Sequence, residues 1–387
     1  MTRPFCAYPF FHQLIETTGN ALPCCAWGAS IKSNINYKDY FNSEWNKQLR
    51  EKMLHHEIPE GCAACVENDA HGGWSNRRQA NKIAERYEVD FDNPVLMFEE
   101  VDLSNICNLR CRMCDGSKSS KMIKDDSLFH SPLGYNRPVY KKQESHWELS
   151  DENAETIRFL RFLGGEPLLH QEQILDALEK IKRKGRLNKV GLSINTNLTV
   201  LPSDRILELS DDLHFIDFTV SIEGYGKLNE YIRSDSNWET LIKNLNIIIE
   251  RKQKEKVKHS FHVGILTVAQ VLNCNKLHEL YEFFETLPED TVRITQPIKL
   301  VEPKFYAVQN LPETAKEKLR VYYDECIDKH PKFAEQLTSA KLYLDAPRTL
   351  SEEDWRTEFL YGNNLFDSTR MQKLADYNPE LLDLLDL

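Results

Sequence analysis

From about residue 95 the chain alternates between two apolar rhythms. Segments near 97–104, 157–163, 189–195, 214–222, 259–268 and 291–298 are rich in β-branched and aromatic residues and predict strands. Between them apolar residues recur at helical spacing. Ile174, Leu175, Leu178 and Ile181 form one stripe, Trp238, Leu241, Ile242, Leu245, Ile248 and Ile249 a second, and Leu277, Leu280, Tyr281 and Phe284 a third. Six strands separated by helices predict a parallel βα array. The count alone fits a partial barrel and an open doubly wound sheet equally well. The strand patterns favour the barrel: Ile216, Phe218, Val220 and Ile222 share one face while Asp217, Thr219 and Ser221 share the other, and Val190, Leu192 and Ile194 alternate with Gly191, Ser193 and Asn195. An open sheet covered on both faces would need apolar residues on both. A polar face on successive strands predicts a wet or ligand-lined barrel interior.

Outside this array the pattern changes. Residues 1–92 predict a small cysteine-rich α+β unit with Cys6, the pair Cys24-Cys25, and Cys62 and Cys65 two residues apart. Asn42 or Ser43 caps a helix carrying Trp45, Leu49 and Met53, which Pro59 and Gly61 end. Few long apolar periods occur here, so a bound metal is expected to supply cohesion. Gly72-Gly73 and the polar run Ser75 to Arg86 read as a connector that becomes helical. Residues 93–300 hold the array. Residues 301–387 read as a helical extension, opened by Leu311-Pro312-Glu313-Thr314 and closed by a short helix from Pro379, expected to pack over the barrel. The interval Asp115 to Ser150 is long for a helix connection and contains Pro132, Gly134 and Pro138, so it is held as a substrate-side insertion.

Composition narrows the class. The 387 residues are 41% hydrophobic and 28% charged, with a net charge of -11. That balance disfavours nucleic acid as the main partner, because phosphate contacts need a basic surface. No run of eighteen apolar residues exists to span a membrane, and Met1 to Cys6 lack the apolar core of a signal peptide. Ten cysteines in such a chain point to reduced thiolates holding metal in the cytoplasm.

The chemistry concentrates in Cys107-Asn108-Leu109-Arg110-Cys111-Arg112-Met113-Cys114. Three thiolates this close suit three irons of a cubane cluster, leaving the fourth iron open, or a zinc site that recruits a fourth donor such as Asp115. Cys274 and Cys326 stand alone, and the expectation for Cys274 is a small buried apolar role. His262 falls on a strand, where a satisfied core histidine is the commoner case.

Cys107, Cys111 and Cys114 resemble the cysteine motif of the radical S-adenosylmethionine (SAM) superfamily, in the loop after the first strand of a partial (β/α)6 TIM barrel. Met113 holds the place before the third cysteine where an adenine contact is found. Gly164-Gly165-Glu166-Pro167 resembles the motif that holds the methionine amino group. Asn195-Thr196-Asn197 resembles the Thr-Asn-Gly turn, with Leu198 in place of glycine. Ser221-Ile222-Glu223-Gly224 resembles the ribose motif, with Glu223 replacing aspartate. Arg233 resembles the arginine that pairs with the methionine carboxylate. Each motif alone is an ordinary turn; their occurrence in order, at the ends of successive strands, carries the resemblance. It implies a SAM-binding [4Fe–4S] cluster, SAM as cofactor, reductive cleavage to a 5′-deoxyadenosyl radical, and hydrogen abstraction from a substrate. A one-electron donor such as flavodoxin or ferredoxin is implied with it. The N-terminal unit resembles SPASM/twitch modules, which implies a second, auxiliary [4Fe–4S] cluster on Cys6, Cys24, Cys62 and Cys65, with Cys25 as neighbour or substitute for Cys24. A structural zinc site also fits four cysteines. Such modules commonly follow the core, whereas this one precedes it. Peptide or protein substrates are implied first, and carbohydrates or other small metabolites second. The rival from another class is a non-catalytic iron–sulfur or zinc-stabilised binding protein.

Overall fold

The computed structural model describes residues 5–28, 31–70, 75–134, 136–253 and 260–387. Gly72-Gly73 and the first residue of the predicted 259–268 strand lie outside the described residues. Among the described residues eight strands form one sheet: β1 (His12–Ile15), β2 (Ala21–Leu22), β3 (Phe98–Asp102), β4 (Phe159–Leu163), β5 (Gly191–Thr196), β6 (Phe215–Ser221), β7 (Phe261–Leu266) and β8 (Arg293–Ile294). Their order is β8-β7-β6-β5-β4-β3-β1-β2. β1, β3, β4 and β5 pair in parallel, with His12 opposite Phe98, Phe98 opposite Phe159 and Phe159 opposite Gly191. β7 and β8 are also parallel, while β2 folds back antiparallel on β1. This is an α/β fold with the helices between strands that a partial barrel requires, followed by a helical C-terminal region. All six predicted strands appear, each shortened. The last is only two residues long, and Ile298–Lys299 instead pairs with Val268–Ala269.

The chain divides into two compact units, each assembled from separated stretches. The first comprises Met1–Ser104, Gln143–Ile194 and Pro202–Ile216. Here β1 extends the sheet, a strand too short to show a period in the sequence. Cohesion of the cysteine-rich stretch comes in large part from aromatic packing. Phe10 and Phe11 join Leu49, Met53, Ala80, Ala84 and Phe98 in one buried cluster, and the Phe5 and Phe10 rings each lie 5.1 Å from that of Phe91. Ser43 caps helix Glu44–Leu54 by accepting the Asn46 N–H. In helix Gln171–Arg183 the predicted stripe faces inward, with Ile174, Leu178 and Ile181 buried. The polar face of β5 is drier than expected: Ser193 is buried, and Gly191 is needed because a Cβ there would meet the Phe215 ring at 2.3 Å.

The second unit comprises Asn105–Lys142, Asn195–Leu201 and Asp217–Leu387. Helices Trp238–Gln253 and Leu277–Glu285 bury Leu241, Leu245, Ile248 and Ile249, and Leu277, Leu280, Tyr281 and Phe284. β6 alternates as predicted, with Ile216, Phe218 and Val220 buried and Asp217, Thr219 and Ser221 half-buried. His262 is exposed, a departure from the core role expected of it. Cys274 is buried and its thiol donates to the Val271 carbonyl at 3.1 Å, the small apolar role foreseen. Helix Glu352–Arg370 buries Trp355, whose indole N–H donates to Phe305 O at 3.0 Å.

Candidate active site

The cysteine loop is held from three sides within the second unit. Arg110–Cys111 forms a two-residue antiparallel ladder with Arg233–Ser234, placing Cys111 opposite Arg233. The Arg112 N–H donates to Ile232 O at 2.8 Å. The Arg112 side chain is fully buried, stacks over the Tyr231 ring at 3.6 Å and pairs with Asp367 at 2.7 Å. Helix Glu352–Arg370 is therefore more than a cover: its Asp367 anchors the residue between Cys111 and Met113. Leu109 packs beneath Cys107 and Cys111, with Met113 and Cys114 against them. Cys107 and Cys111 are buried and Cys114 half-buried. A hydrogen bond from Cys114 lowers the Cys111 thiol to about 7, and the Arg233 charge works in the same direction. Cys114, the donor of that bond, is pushed up.

Two predicted contact residues pair with each other. Arg233 Nη1 lies 3.1 Å from Glu223 Oε1, and Glu223 Oε2 accepts the Val268 N–H at 2.6 Å. Burial opposes the Arg233 charge, but Cys111 and Glu223 outweigh it and raise its pKa. Glu223 is thus committed to orienting the arginine. Asn197 Nδ2 donates to Asn108 Oδ1 at 3.0 Å and lies 3.8 Å from the Cys107 sulfur. Its own Oδ1 accepts the Thr199 N–H at 2.9 Å. Leu198, where the related turn carries glycine, keeps a left-handed φ of 53° and is fully buried. Asn195 and Ser221 are half-buried at strand ends.

Gly164, Gly165, Glu166 and Pro167 lie in the first unit. Gly164 has φ +111°, and a Cβ there would stand 2.5 Å from Ser104 O; the Gly165 N–H donates to that same carbonyl at 2.6 Å. Glu166 is buried and its side chain accepts the Leu168 N–H, capping the turn that Pro167 opens. Backbone therefore touches backbone at this strand end, which a side chain would prevent.

Cys6, Cys24, Cys62 and Cys65 come together, also in the first unit. They line one cavity, beside Tyr8 and Arg77. Cys25 is not among its lining residues; it is exposed and accepts a hydrogen bond from Asn76 at 3.1 Å. Burial pushes the Cys6 thiol up to about 12 and the Cys62 thiol up to about 11. Gly61 lets the Trp27 ring close against the chain, since a Cβ would meet it at 2.4 Å. Among the described residues no three Cys, His, Asp or Glu side chains converge tightly enough to grip a single ion.

Residues 101–271 match the Radical SAM superfamily. These residues form a radical SAM domain. No curated protein matches the sequence. Among solved structures, the chain resembles anSMEcpe with bound AdoMet, at 17% identity over 64% of this chain and 60% of that one, with a TM-score of 0.41. They also resemble Streptococcus suis SuiB bound to S-adenosylmethionine, at 14% identity over 73% and 61% with a TM-score of 0.36. SuiB bound to the precursor peptide SuiA matches at 15% identity over 66% and 51%, with a TM-score of 0.35. The match thus spans about 60% of the anSMEcpe chain.

Four residues of these surroundings carried no signal in the linear pattern. Arg112 and Asp367 are 255 positions apart. Arg137 donates to the Cys114 carbonyl at 3.2 Å from within the 115–150 interval. His170 meets the Ser104 hydroxyl at 2.6 Å. Arg112 lies inside the cysteine motif and His170 three residues beyond the Gly-Gly-Glu-Pro turn, whereas Arg137 and Asp367 had no motif nearby to draw attention to them.

Proposed function

We propose that the protein is a radical SAM enzyme in which Cys107, Cys111 and Cys114 hold a [4Fe–4S] cluster that binds SAM at its fourth iron. One feature carries this reading: three thiols gathered on one loop, inside a radical SAM domain, with the Arg233 guanidinium opposite Cys111. The donor set fits, since sulfur ligands alone suit an iron–sulfur cluster. When bound, cluster and SAM supply one-electron cleavage of the sulfonium to a 5′-deoxyadenosyl radical. The chain's own residues orient and shield. Arg233, fixed by Glu223, presents positive charge for a carboxylate. Asn197 steadies the Cys107 side of the loop, and Met113 offers an apolar contact for adenine. Gly164 to Pro167 form the turn assigned to the methionine amino group.

Residues 1–92 are proposed as an auxiliary-cluster module, 93–300 as the catalytic barrel and 301–387 as its helical extension. The four N-terminal thiols line a cavity instead of converging on a point, which supports a polynuclear cluster over one zinc ion. Cys6, Cys24, Cys62 and Cys65 would hold it. A peptide or protein is the substrate class proposed first and a small metabolite the alternative, both by analogy with this type of domain pairing. Anaerobic reconstitution tests the whole: about eight irons and eight sulfides per chain, with 5′-deoxyadenosine released on reduction, is expected. Stoichiometric zinc without SAM cleavage would leave only the binding-protein reading.

A further inference from the structure

Cys114 differs from the other two loop cysteines in what surrounds it. Cys107 and Cys111 are buried, whereas Cys114 is half-buried. With Met113 it lines a cleft whose walls include Arg137 and Tyr140. Its N–H donates to Cys111 O at 3.0 Å, which ties it to the loop. Its carbonyl is taken by a residue 23 positions further on: Arg137 Nη1 donates to it at 3.2 Å.

That donor is itself fixed. Arg137 Nη1 also lies 2.9 Å from Asp126 Oδ1, and the two side chains are 9% and 0% exposed. The guanidinium carbon stands 5.0 Å from the centre of the Phe129 ring and 5.3 Å from that of Phe366, so aromatic faces hold the planar group in its direction. Asp126 comes from the short helix Ile123–Leu128, and its other oxygen, Oδ2, accepts the Gly116 N–H at 2.6 Å. The Gly116 carbonyl accepts from Asn105 Nδ2 at 2.8 Å, and the same amide donates to Lys141 O at 2.8 Å. One buried ion pair therefore grips the chain on both sides of Asp115, at the Cys114 carbonyl through Arg137 and at the Gly116 N–H through Asp126. A charge buried alone is costly, so each member of the pair keeps the other in place. Because the two charges cancel, the pair gives the loop a fixed direction and not a net charge.

We propose that Arg137, oriented by Asp126, is a positioning residue for Cys114, holding the third cysteine at the cleft edge so that its thiolate stays on the cluster. The inference rests on the radical SAM reading above and goes beyond its ligand set. It gives residues 115–142 a use apart from any contact with substrate: they clasp the cluster loop at its more exposed end, as Asp367 holds it through Arg112. Groups that orient a metal ligand from behind determine how firmly the metal is kept. Without the Arg137 bond the Cys114 backbone is free to turn, and a thiolate that swings off its iron gives way to solvent from the cleft.

Two variants of the full chain, reconstituted anaerobically beside the parent, test this. Asp126→Asn/Arg137→Gln removes both charges together, so that no lone buried charge remains. Arg137→Lys keeps the charge on a side chain without the planar fork. Three quantities are read: iron release to a ferrous chelator, the paramagnetic resonance spectrum of the reduced cluster, and urea unfolding of the iron-free chains. The double variant should release the irons of the Cys107–Cys114 site about tenfold faster than the parent and give a broadened spectrum, with Arg137→Lys between the two. Parent-like release and spectrum in the double variant would overturn the proposal. So would faster release that follows a lowered urea midpoint while the spectrum stays unchanged, because the pair would then serve stability alone. The radical SAM reading fails separately, if Cys107→Ala/Cys111→Ala/Cys114→Ala binds as much iron as the parent.

Discussion

Gly164 shows how much a single residue can decide. Its left-handed φ and its contact with Ser104 O leave no room for a Cβ, so Gly164→Ala is expected to cost about 2 kcal/mol or more and to weaken SAM binding. Thermal melts and SAM titration check this; an unchanged melting temperature would mean the turn can retreat. Leu198 presents the opposite balance. Its φ of 53° costs about 1 kcal/mol relative to glycine, but its buried side chain is worth about 2–5 kcal/mol. Leu198→Gly should therefore destabilise, and a raised melting temperature would show that strain outweighs packing. The departure from glycine was visible in the sequence; that the left-handed conformation survives it was not. Glu99 was legible in neither way. It is buried on β3, where Gln13, Trp147 and Asn153 donate to it, yet burial dominates and raises its carboxyl to about 7. Between its ordinary value of 4.5 and about 7 the folded chain keeps a proton that the unfolded chain has released. Stability must then fall as pH rises through that window, by about 3 kcal/mol, and level off above it. Glu99→Gln should remove this component, so that urea midpoints of parent and variant diverge in the variant's favour as pH rises. Parallel midpoints across the window would contradict the assignment.

Among the elements, the helical stripes at 174–181, 241–249 and 277–284 were read correctly because each buries a wide apolar face. Such periods survive whatever lies on the other side. β1 was missed for a complementary reason: four residues are too few to establish an alternation, and its parallel partner β3 lies more than eighty positions away. Helix Glu352–Arg370 was foreseen as packing, but not its hold on Arg112 through Asp367. The same helix ends at Arg370, which pairs with Asp125 where both side chains are almost wholly buried. Removing one partner would strand the other charge. Asp125→Ala is expected to destabilise by about 3–5 kcal/mol, and Asp125→Leu/Arg370→Met by much less. A double-mutant cycle on urea unfolding measures the difference, and equal losses would mean the ion pair itself is the stabilising unit.

For the whole molecule, the two sets of cysteines make separable predictions. Cys111→Ala should abolish SAM cleavage. Cys62→Ala should lower the iron content to about four per chain, spare uncoupled cleavage and block turnover of substrate. Iron analysis and 5′-deoxyadenosine release distinguish these outcomes. Normal substrate turnover by the Cys62 variant would reduce the N-terminal site to a structural one.

Sequence by itself determined the strand–helix alternation, the cysteine loop and the ordered strand-end motifs, because each is local: apolar period and motif spacing are properties of neighbouring residues. It also showed five cysteines in the N-terminal segment. Only the tertiary structure decided that Cys24 lines the cavity and Cys25 does not, that Glu223 is spent on Arg233, and that Arg112 is held by a helix 255 residues further on. It alone placed Lys118 in the wall of the cleft that Met113 and Cys114 line. Those facts depend on which distant surfaces meet and which charges become buried, and no linear pattern carries that information.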